Sequence, residues 1–124
     1  MGWLQKLLIG KSKVMPVHVD DSNFEAEILR SEVPVMIDFW SPTCGPCKML
    51  EPIVVDLATE FDGRIKVVEV DISRAPRVAG RFGVMATPTV LYLDKGREVE
   101  RVVGFRGSLY HREIIESDLL PAQS

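Results

Sequence analysis

The feature that most constrains this chain is a nearly continuous apolar run, Val33-Pro34-Val35-Met36-Ile37-Asp38-Phe39-Trp40. A strand without polar alternation is buried on both faces, which is typical of parallel sheets. Apolar side chains then keep helical spacing from Leu50 to Phe61, and residues 65–71 are the next predicted strand. These segments have about the length that a right-handed crossover between parallel strands needs. The pattern therefore predicts a strand–helix–strand unit inside an α/β domain.

The rest of the pattern places three more strands and three more helices around this unit. Pro16 limits the first strand to an edge position, because proline donates no hydrogen bond to a neighbouring strand. The run Asp20-Asp21-Ser22 offers N-cap candidates for the first helix, and Gly96 supplies the glycine of a hairpin turn. The predicted segments are strand 14–19, a helix to residue 29, strand 33–40, a helix from the cysteines to residue 61, strand 65–71, helix 75–82, strands 89–93 and 97–103, and helix 108–119. The predicted fold class is α/β, a central mixed β-sheet flanked by helices in the order βαβαβαββα.

The length of 124 residues suits one domain with its own core. We expect residues 14–120 to form this domain, residues 1–13 to be an N-terminal extension, and residues 121–124 to be a C-terminal tail. Within the extension, Trp3, Leu4, Leu7 and Leu8 would share one face of a short helix. A membrane surface or a partner is one interpretation of that face; we favour a frayed segment or one packed on the domain.

Charge and hydropathy argue against several classes of function. The net charge of −3 gives no basic field that would attract nucleic acid. No apolar run approaches the roughly 18 residues that span a bilayer, so we expect no stable membrane insertion. Gln5 and Lys6 interrupt the apolar N-terminus, and no small-residue cleavage site follows. We therefore expect a cytoplasmic protein.

The only two cysteines, Cys44 and Cys47, lie three positions apart. A disulfide between them closes almost no loop, so the pair serves chemistry or metal binding rather than stability. Residues i and i+3 of a first helical turn have Cα atoms roughly 5 to 6 Å apart, which a disulfide accepts. Cys44, at the helix start, would face unpaired N–H groups and the positive end of the helix dipole, which favour its thiolate. Cys47, one turn further, is predicted to be more buried and to stay protonated until it resolves a mixed disulfide.

Half of a zinc site is the alternative interpretation of this pair. A complete site needs two more ligands, and the only histidines, His18 and His111, are isolated and not at ligand spacing. We therefore expect no metal.

Four motifs resemble the thioredoxin family. Asp38-Phe39-Trp40 followed by Cys44-Gly45-Pro46-Cys47-Lys48-Met49 is similar to its active-site segment. Ala86-Thr87-Pro88-Thr89 resembles its cis-proline loop, and Val103-Gly104 its strand-end pair beside the substrate groove. The similarity covers about residues 14–119, with the motifs in the family's order. It implies a monomeric protein-disulfide reductase without a bound cofactor, which acts on disulfide-containing proteins and is recharged by a separate thioredoxin-reductase-type electron donor.

The resemblance also implies roles for individual residues. Cys44 and Cys47 form the catalytic pair, and Asp38 is a general base and acid near Cys47, with burial raising the pKa of its carboxyl. A structural ion pair or cap is the alternative for Asp38. The residues implied in substrate contact are Trp40, Thr43, Gly45, Pro46, Thr87, Pro88, Val103 and Gly104. Among them, the backbone of Thr87 would pair with an extended substrate segment, and Gly104 would allow a close backbone approach.

The sequence departs from the family pattern at two positions. Thr43 stands where Trp is common, which puts substrate range and reductase recognition in question. Glu69 stands where many relatives carry a lysine that faces the buried aspartate. If Glu69 faces Asp38, like-charge repulsion raises the pKa of Asp38 further; if it faces solvent, nothing follows. Strand register decides between these cases, and the sequence leaves both open.

Two other functions remain as alternatives. An oxidase or isomerase would use the same chemistry, but Gly45-Pro46 between the cysteines disfavours it. A binding or scaffold module would keep the fold and make the thiols incidental.

Overall fold

The computed structural model describes residues 12–121, and the expectations for residues 3–8 lie outside this range. A five-stranded mixed sheet has the strand order β1-β3-β2-β4-β5. The elements are β1 (Val17–Val19), α1 (Glu25–Leu29, a single wide turn), β2 (Val35–Trp40), α2 (Gly45–Glu60), β3 (Lys66–Asp71), α3 (Pro76–Arg81), β4 (Thr89–Asp94), β5 (Arg97–Val103) and α4 (Ser108–Ile114), which Ile115–Leu119 continue as a wider turn. The predicted α/β class and the order of elements are confirmed.

The crossover predicted around the apolar run forms the middle of the sheet. β2 and β3 are parallel and are joined through α2, and β1 pairs parallel with the other edge of β3. β4 pairs antiparallel with β2, and β5 pairs antiparallel with β4. β2 therefore lies at the centre of the sheet, between β3 and β4. Its carboxyl end is Trp40, after which the chain leads into α2.

Two apolar clusters cover the two faces of the sheet. One face packs against α2 and α4, through fully buried residues such as Met36, Leu50 and Tyr92. The other face packs against α1 and α3, through residues such as Ile37 and Val78. Alternate residues of β2 serve opposite clusters, which explains why its sequence shows no polar alternation.

Two local expectations are corrected at the N-terminal side. β1 covers only Val17–Val19 rather than residues 14–19, which agrees with the missing N–H of Pro16. The predicted N-cap residues instead form a turn: Asp20 Oδ1 accepts the Ser22 N–H at 2.8 Å, and the residue that precedes α1 is Phe24, without a side-chain cap bond.

The hairpin between β4 and β5 turns as predicted at Gly96, whose φ is 80°. Lys95 also has a positive φ, of 51°, so both central residues adopt the left-handed conformation that two-residue hairpin loops favour. Among residues 12–121, no helix has the length and apolar character needed to cross a bilayer.

Candidate active site

The two cysteines lie where the chain leaves β2 and enters α2. Cys44 is the residue before the helix, with an extended backbone, and Pro46 lies in the first turn. The Cα atoms of Cys44 and Cys47 are 5.3 Å apart and their sulfur atoms form a disulfide. The helix start therefore sets the geometry that the spacing predicts, and the pair can open and close with little change in the backbone.

One backbone donor points at the first sulfur. The N–H of Cys47 donates to Cys44 Sγ at 3.2 Å, across the first turn of α2. Since helix-start N–H groups carry partial positive charge, this contact stabilises negative charge on that sulfur when the disulfide is reduced. Burial distinguishes the two cysteines little, because Cys44 is 8% exposed and Cys47 is 5% exposed.

The two cysteines differ more in the residues around them than in their exposed fractions. A cavity of about 290 Å³ lies beside the disulfide, between the end of β2 and the first turns of α2. Its walls contain Cys47 but not Cys44. The lining residues are Asp38, Trp40, Ser41, Pro42, Cys47, Lys48, Glu51 and Glu69.

Asp38 is the buried acid of this cavity. Only 5% of the residue is exposed, and its Oδ1 has no hydrogen-bond partner among residues 12–121. Burial, followed by the charges of Glu69 and Glu51, raises the pKa of Asp38 to about 7. Because burial and two neighbouring carboxylates disfavour the negative charge, the Asp38 carboxylate binds a proton more tightly than a solvated carboxylate does.

The register settles the direction of Glu69. Asp38 and Glu69 are partners across the parallel β2–β3 pair, and both line the cavity. Of the two cases that the sequence leaves open, the first holds: Glu69 faces Asp38, and its charge adds to the effect of burial on the Asp38 pKa.

A second loop comes beside the cysteine loop. The Thr87–Pro88 peptide bond is cis, as the resemblance leads us to expect. The Ser41 and Thr87 hydroxyl oxygens lie 3.3 Å apart, which ties the residue after β2 to this loop. The Gly104 N–H donates to the Pro88 carbonyl oxygen at 2.8 Å, and the φ of Gly104 is 90°. The structure therefore brings together Thr87, Pro88 and Gly104.

The remaining predicted contact residues surround the disulfide unevenly. Thr43, Gly45 and Pro46 are exposed on the turn that carries it, whereas Pro88 is buried. Val103 is 63% exposed at the end of β5. Trp40 is half-buried and lines the cavity.

Sequence reasoning missed three residues of this region. Glu51 follows Cys47 by four positions and so shares its helix face, a spacing that was available as a signal. Ser41 carries no such signal, since its partner Thr87 is 46 positions away. His18, isolated in the sequence, has its Nδ1 3.6 Å from the Glu69 carboxylate. Within the described part of the chain, no group of three or more His, Cys, Asp or Glu side chains is arranged to hold a metal ion.

Comparison with known proteins decides the family. The Thioredoxin family model matches residues 15–116, which is most of the chain. The chain belongs to the thioredoxin family. It is similar to Thioredoxin 1 of Nostoc sp., with 45% identity over 86 residues that cover 69% of this chain and 80% of that protein.

Two further relatives show how widely this similarity extends. Thioredoxin of Haemophilus influenzae is 39% identical over 71% of this chain and 82% of its own length. The chloroplastic M-type thioredoxin of Spinacia oleracea is 42% identical over 69% of this chain and 48% of its own. Thioredoxin-family membership and a cysteine pair at disulfide distance together identify a thiol–disulfide oxidoreductase that reduces disulfides in other proteins.

Proposed function

We propose that Cys44 is the attacking thiolate of this reductase, that Cys47 is the resolving thiol, and that Asp38 exchanges a proton with Cys47. The observation that carries this assignment is the cavity shared by Cys47 and Asp38. The contact of Cys44 Sγ with the helix-start N–H supports the same division of roles.

The reaction balances in two exchanges. In the reduced protein, the Cys44 thiolate attacks one sulfur of a substrate disulfide; that bond breaks, a mixed disulfide forms, and the first substrate thiolate leaves and takes a proton. Cys47 then gives its proton to the Asp38 carboxylate, and its thiolate attacks Cys44 Sγ. The second substrate thiolate leaves and takes a proton, and Asp38 gives up the proton it received, so two electrons have passed to the substrate and the Cys44–Cys47 disulfide remains.

We propose that the substrate segment lies across the surface formed by the two loops. Thr43, Gly45 and Pro46 would contact it on the cysteine side, and Val103 on the side of β5. The backbone of Thr87 would hydrogen-bond to it as to an added strand. Trp40 and Pro88 would support this surface from below, and Gly104 would leave space for the substrate backbone. The hydrogen bonds that link the loops support this arrangement.

A separate reductase must restore the dithiol, because each turnover leaves the pair oxidised. We propose a thioredoxin-reductase-type donor, no bound cofactor, and a monomeric chain whose folded domain spans residues 14–120. We also propose a cytoplasmic location. The bacterial relatives are compatible with it, whereas the name of the spinach relative contains the word "chloroplastic".

Insulin reduction driven by dithiothreitol tests the assigned roles. Cys44→Ser is expected to lower the rate to that of dithiothreitol alone, since no other residue replaces the attacking sulfur. Cys47→Ser is the matched control, with the same change three positions away: it also loses turnover, but it accumulates a covalent mixed disulfide visible on non-reducing gels. Full activity of Cys44→Ser, or trapping by Cys44→Ser instead of Cys47→Ser, would contradict the assignment.

A further inference from the structure

Three titratable side chains form a row across neighbouring strands. His18 on β1 is the register partner of Glu69 on β3, and Glu69 is the register partner of Asp38 on β2. Residues paired in this way point to the same face of a sheet. The row therefore runs along one face, from an edge strand to the strand that leads into the active site.

Exposure falls along this row. The side chains of His18 and Glu69 are 57% and 33% exposed, and Asp38 is 5% exposed. His18 Nδ1 lies 3.6 Å from Glu69 Oε1, and Glu69 and Asp38 line the same cavity. The row therefore connects solvent to the acid beside Cys47 through one half-buried carboxylate.

The other groups that face Asp38 come from two elements. From α2, Lys48 and Glu51 line the cavity, so its walls carry three carboxylates and one ammonium group. From β4, the register partner of Asp38 is Val90, which brings no charge. Glu69 precedes Glu51 among the charged causes that raise the pKa of Asp38.

We propose that Glu69 is a positioning residue for the proton step, which makes the Asp38 carboxylate a stronger proton acceptor through its own negative charge, and that His18 controls this effect. When His18 is neutral, the Glu69 charge acts fully on Asp38. When His18 carries a proton, the ion pair offsets that charge, and Asp38 releases its proton more readily. The inference rests on the proposed role of Asp38 and extends it to a chain of two residues that reaches solvent.

The direct test is the titration of the Asp38 carboxyl carbon by NMR in the oxidised protein. Glu69→Gln keeps the shape and removes the charge, so the Asp38 midpoint is expected to fall by about 1 pH unit, the low end of the effect of a nearby charge because Glu69 is partly solvated. Glu69→Lys reverses the charge and is expected to lower the midpoint further. Glu32→Gln, which removes an exposed carboxylate from the segment before β2 that does not line the cavity, is the matched control with no shift.

His18→Gln tests the second half of the row. Removing the imidazole that lies against Glu69 is expected to raise the Asp38 midpoint by a smaller amount, and this rise is expected to disappear when Glu69→Gln is also present. An Asp38 midpoint that stays unchanged in both Glu69 variants, or that shifts equally in Glu32→Gln, overturns the inference. A His18→Gln effect that persists in the double variant overturns the part assigned to His18.

The pH–rate profile of insulin reduction separates this inference from the proposed function. In Glu69→Gln, the limb of the profile that follows Asp38 is expected to move to lower pH together with the NMR midpoint. If wild-type protein reduces no insulin at any pH, the proposed function fails, although the charge effect on Asp38 is still measured. If wild-type protein is active and the profile of Glu69→Gln is unchanged, the positioning role of Glu69 fails alone.

Discussion

Two buried polar sites lie on the same face of the sheet, in neighbouring rows of residues, and only one of them reaches the disulfide. The row through Asp38 ends at the cavity beside Cys47. The next row pairs Met36 with Tyr92, and the Tyr92 hydroxyl lies 2.6 Å from His111 Nδ1. Burial acts on both sites in the same sense, toward the neutral form: it raises the pKa of Asp38 to about 7 and lowers the pKa of His111 to about 4.

The difference between the sites is access rather than burial. Asp38 borders a cavity shared with a redox-active sulfur and with two other carboxylates. Tyr92 and His111 are both 0% exposed; Tyr92 belongs to the apolar cluster between the sheet and α4, and His111 lies on α4 itself. A shifted pKa therefore marks a functional group only where the group also reaches a reacting atom, which favours function at Asp38 and stability at His111.

The two sites affect stability with opposite signs. The pKa of Asp38 is higher in the folded chain, so folding becomes less favourable as pH rises from about 4 to 7. The pKa of His111 is lower in the folded chain, so folding becomes less favourable as pH falls from 6.5 to about 4. Each contributes a slope of about 1.4 kcal/mol per pH unit, and the two slopes offset each other where the windows overlap.

Removing the acid gives the largest expected change. Asp38→Asn, which cannot ionise, is expected to raise the free energy of unfolding at pH 8 by up to about 4 kcal/mol, because the folded chain no longer holds a buried carboxylate. At pH 4 the gain should be below about 1 kcal/mol, since Asp38 is then protonated in the folded protein. Urea unfolding of the oxidised protein at the two pH values measures this difference. An equal gain at both would show that the amide stabilises by its hydrogen bonds and not by removing a charge.

The buried Tyr92–His111 site gives the next largest effect on stability, with the opposite dependence on pH. Tyr92→Phe combined with His111→Leu makes the site apolar, so its stability relative to wild type should rise by about 3 kcal/mol as pH falls from 7 to 4. Tyr92→Phe alone is the control, because it keeps the histidine that must become charged. If the double variant follows the wild-type pH dependence, His111 is not the group that weakens the fold in acid.

The elements at the centre of the fold were predictable because their signals are local. The apolar run predicts β2, the helical spacing of apolar residues predicts α2, and a glycine predicts the β4–β5 turn. Each of these signals is contained in one short stretch of sequence. The position of Cys44 and Cys47 follows from helix geometry in the same way. The first helix shows the limit. Asp20 was one of three N-cap candidates for it, but its side chain accepts the Ser22 N–H in a preceding turn, and both uses are local and chemically similar.

The polar contacts of both sites depend on pairings that no local pattern contains. Glu69 faces Asp38 only because β2 and β3 pair in one register, and a shift by one residue would turn it to the other face. His18 reaches Glu69 from an edge strand. Tyr92 meets His111 across 19 residues, from β4 to α4. The sequence supplied the chemistry of these residues, and tertiary structure determined which of them meet.

The smallest expected effect comes from comparing two single hydrogen bonds, one beside the active site and one in the buried Tyr92–His111 site. The contact between the Ser41 and Thr87 hydroxyls is partly buried, so water can replace the lost partner, and Ser41→Ala should cost about 0.5 to 1 kcal/mol. Tyr92→Phe should cost more, about 1 to 3 kcal/mol, because it leaves His111 Nδ1 without a partner where no solvent reaches. Urea unfolding at pH 7 of the two variants measures both costs under the same conditions. If Ser41→Ala costs as much as Tyr92→Phe, the loop contact is as inaccessible to water as the Tyr92–His111 pair. The two sites would then not differ in their access to solvent.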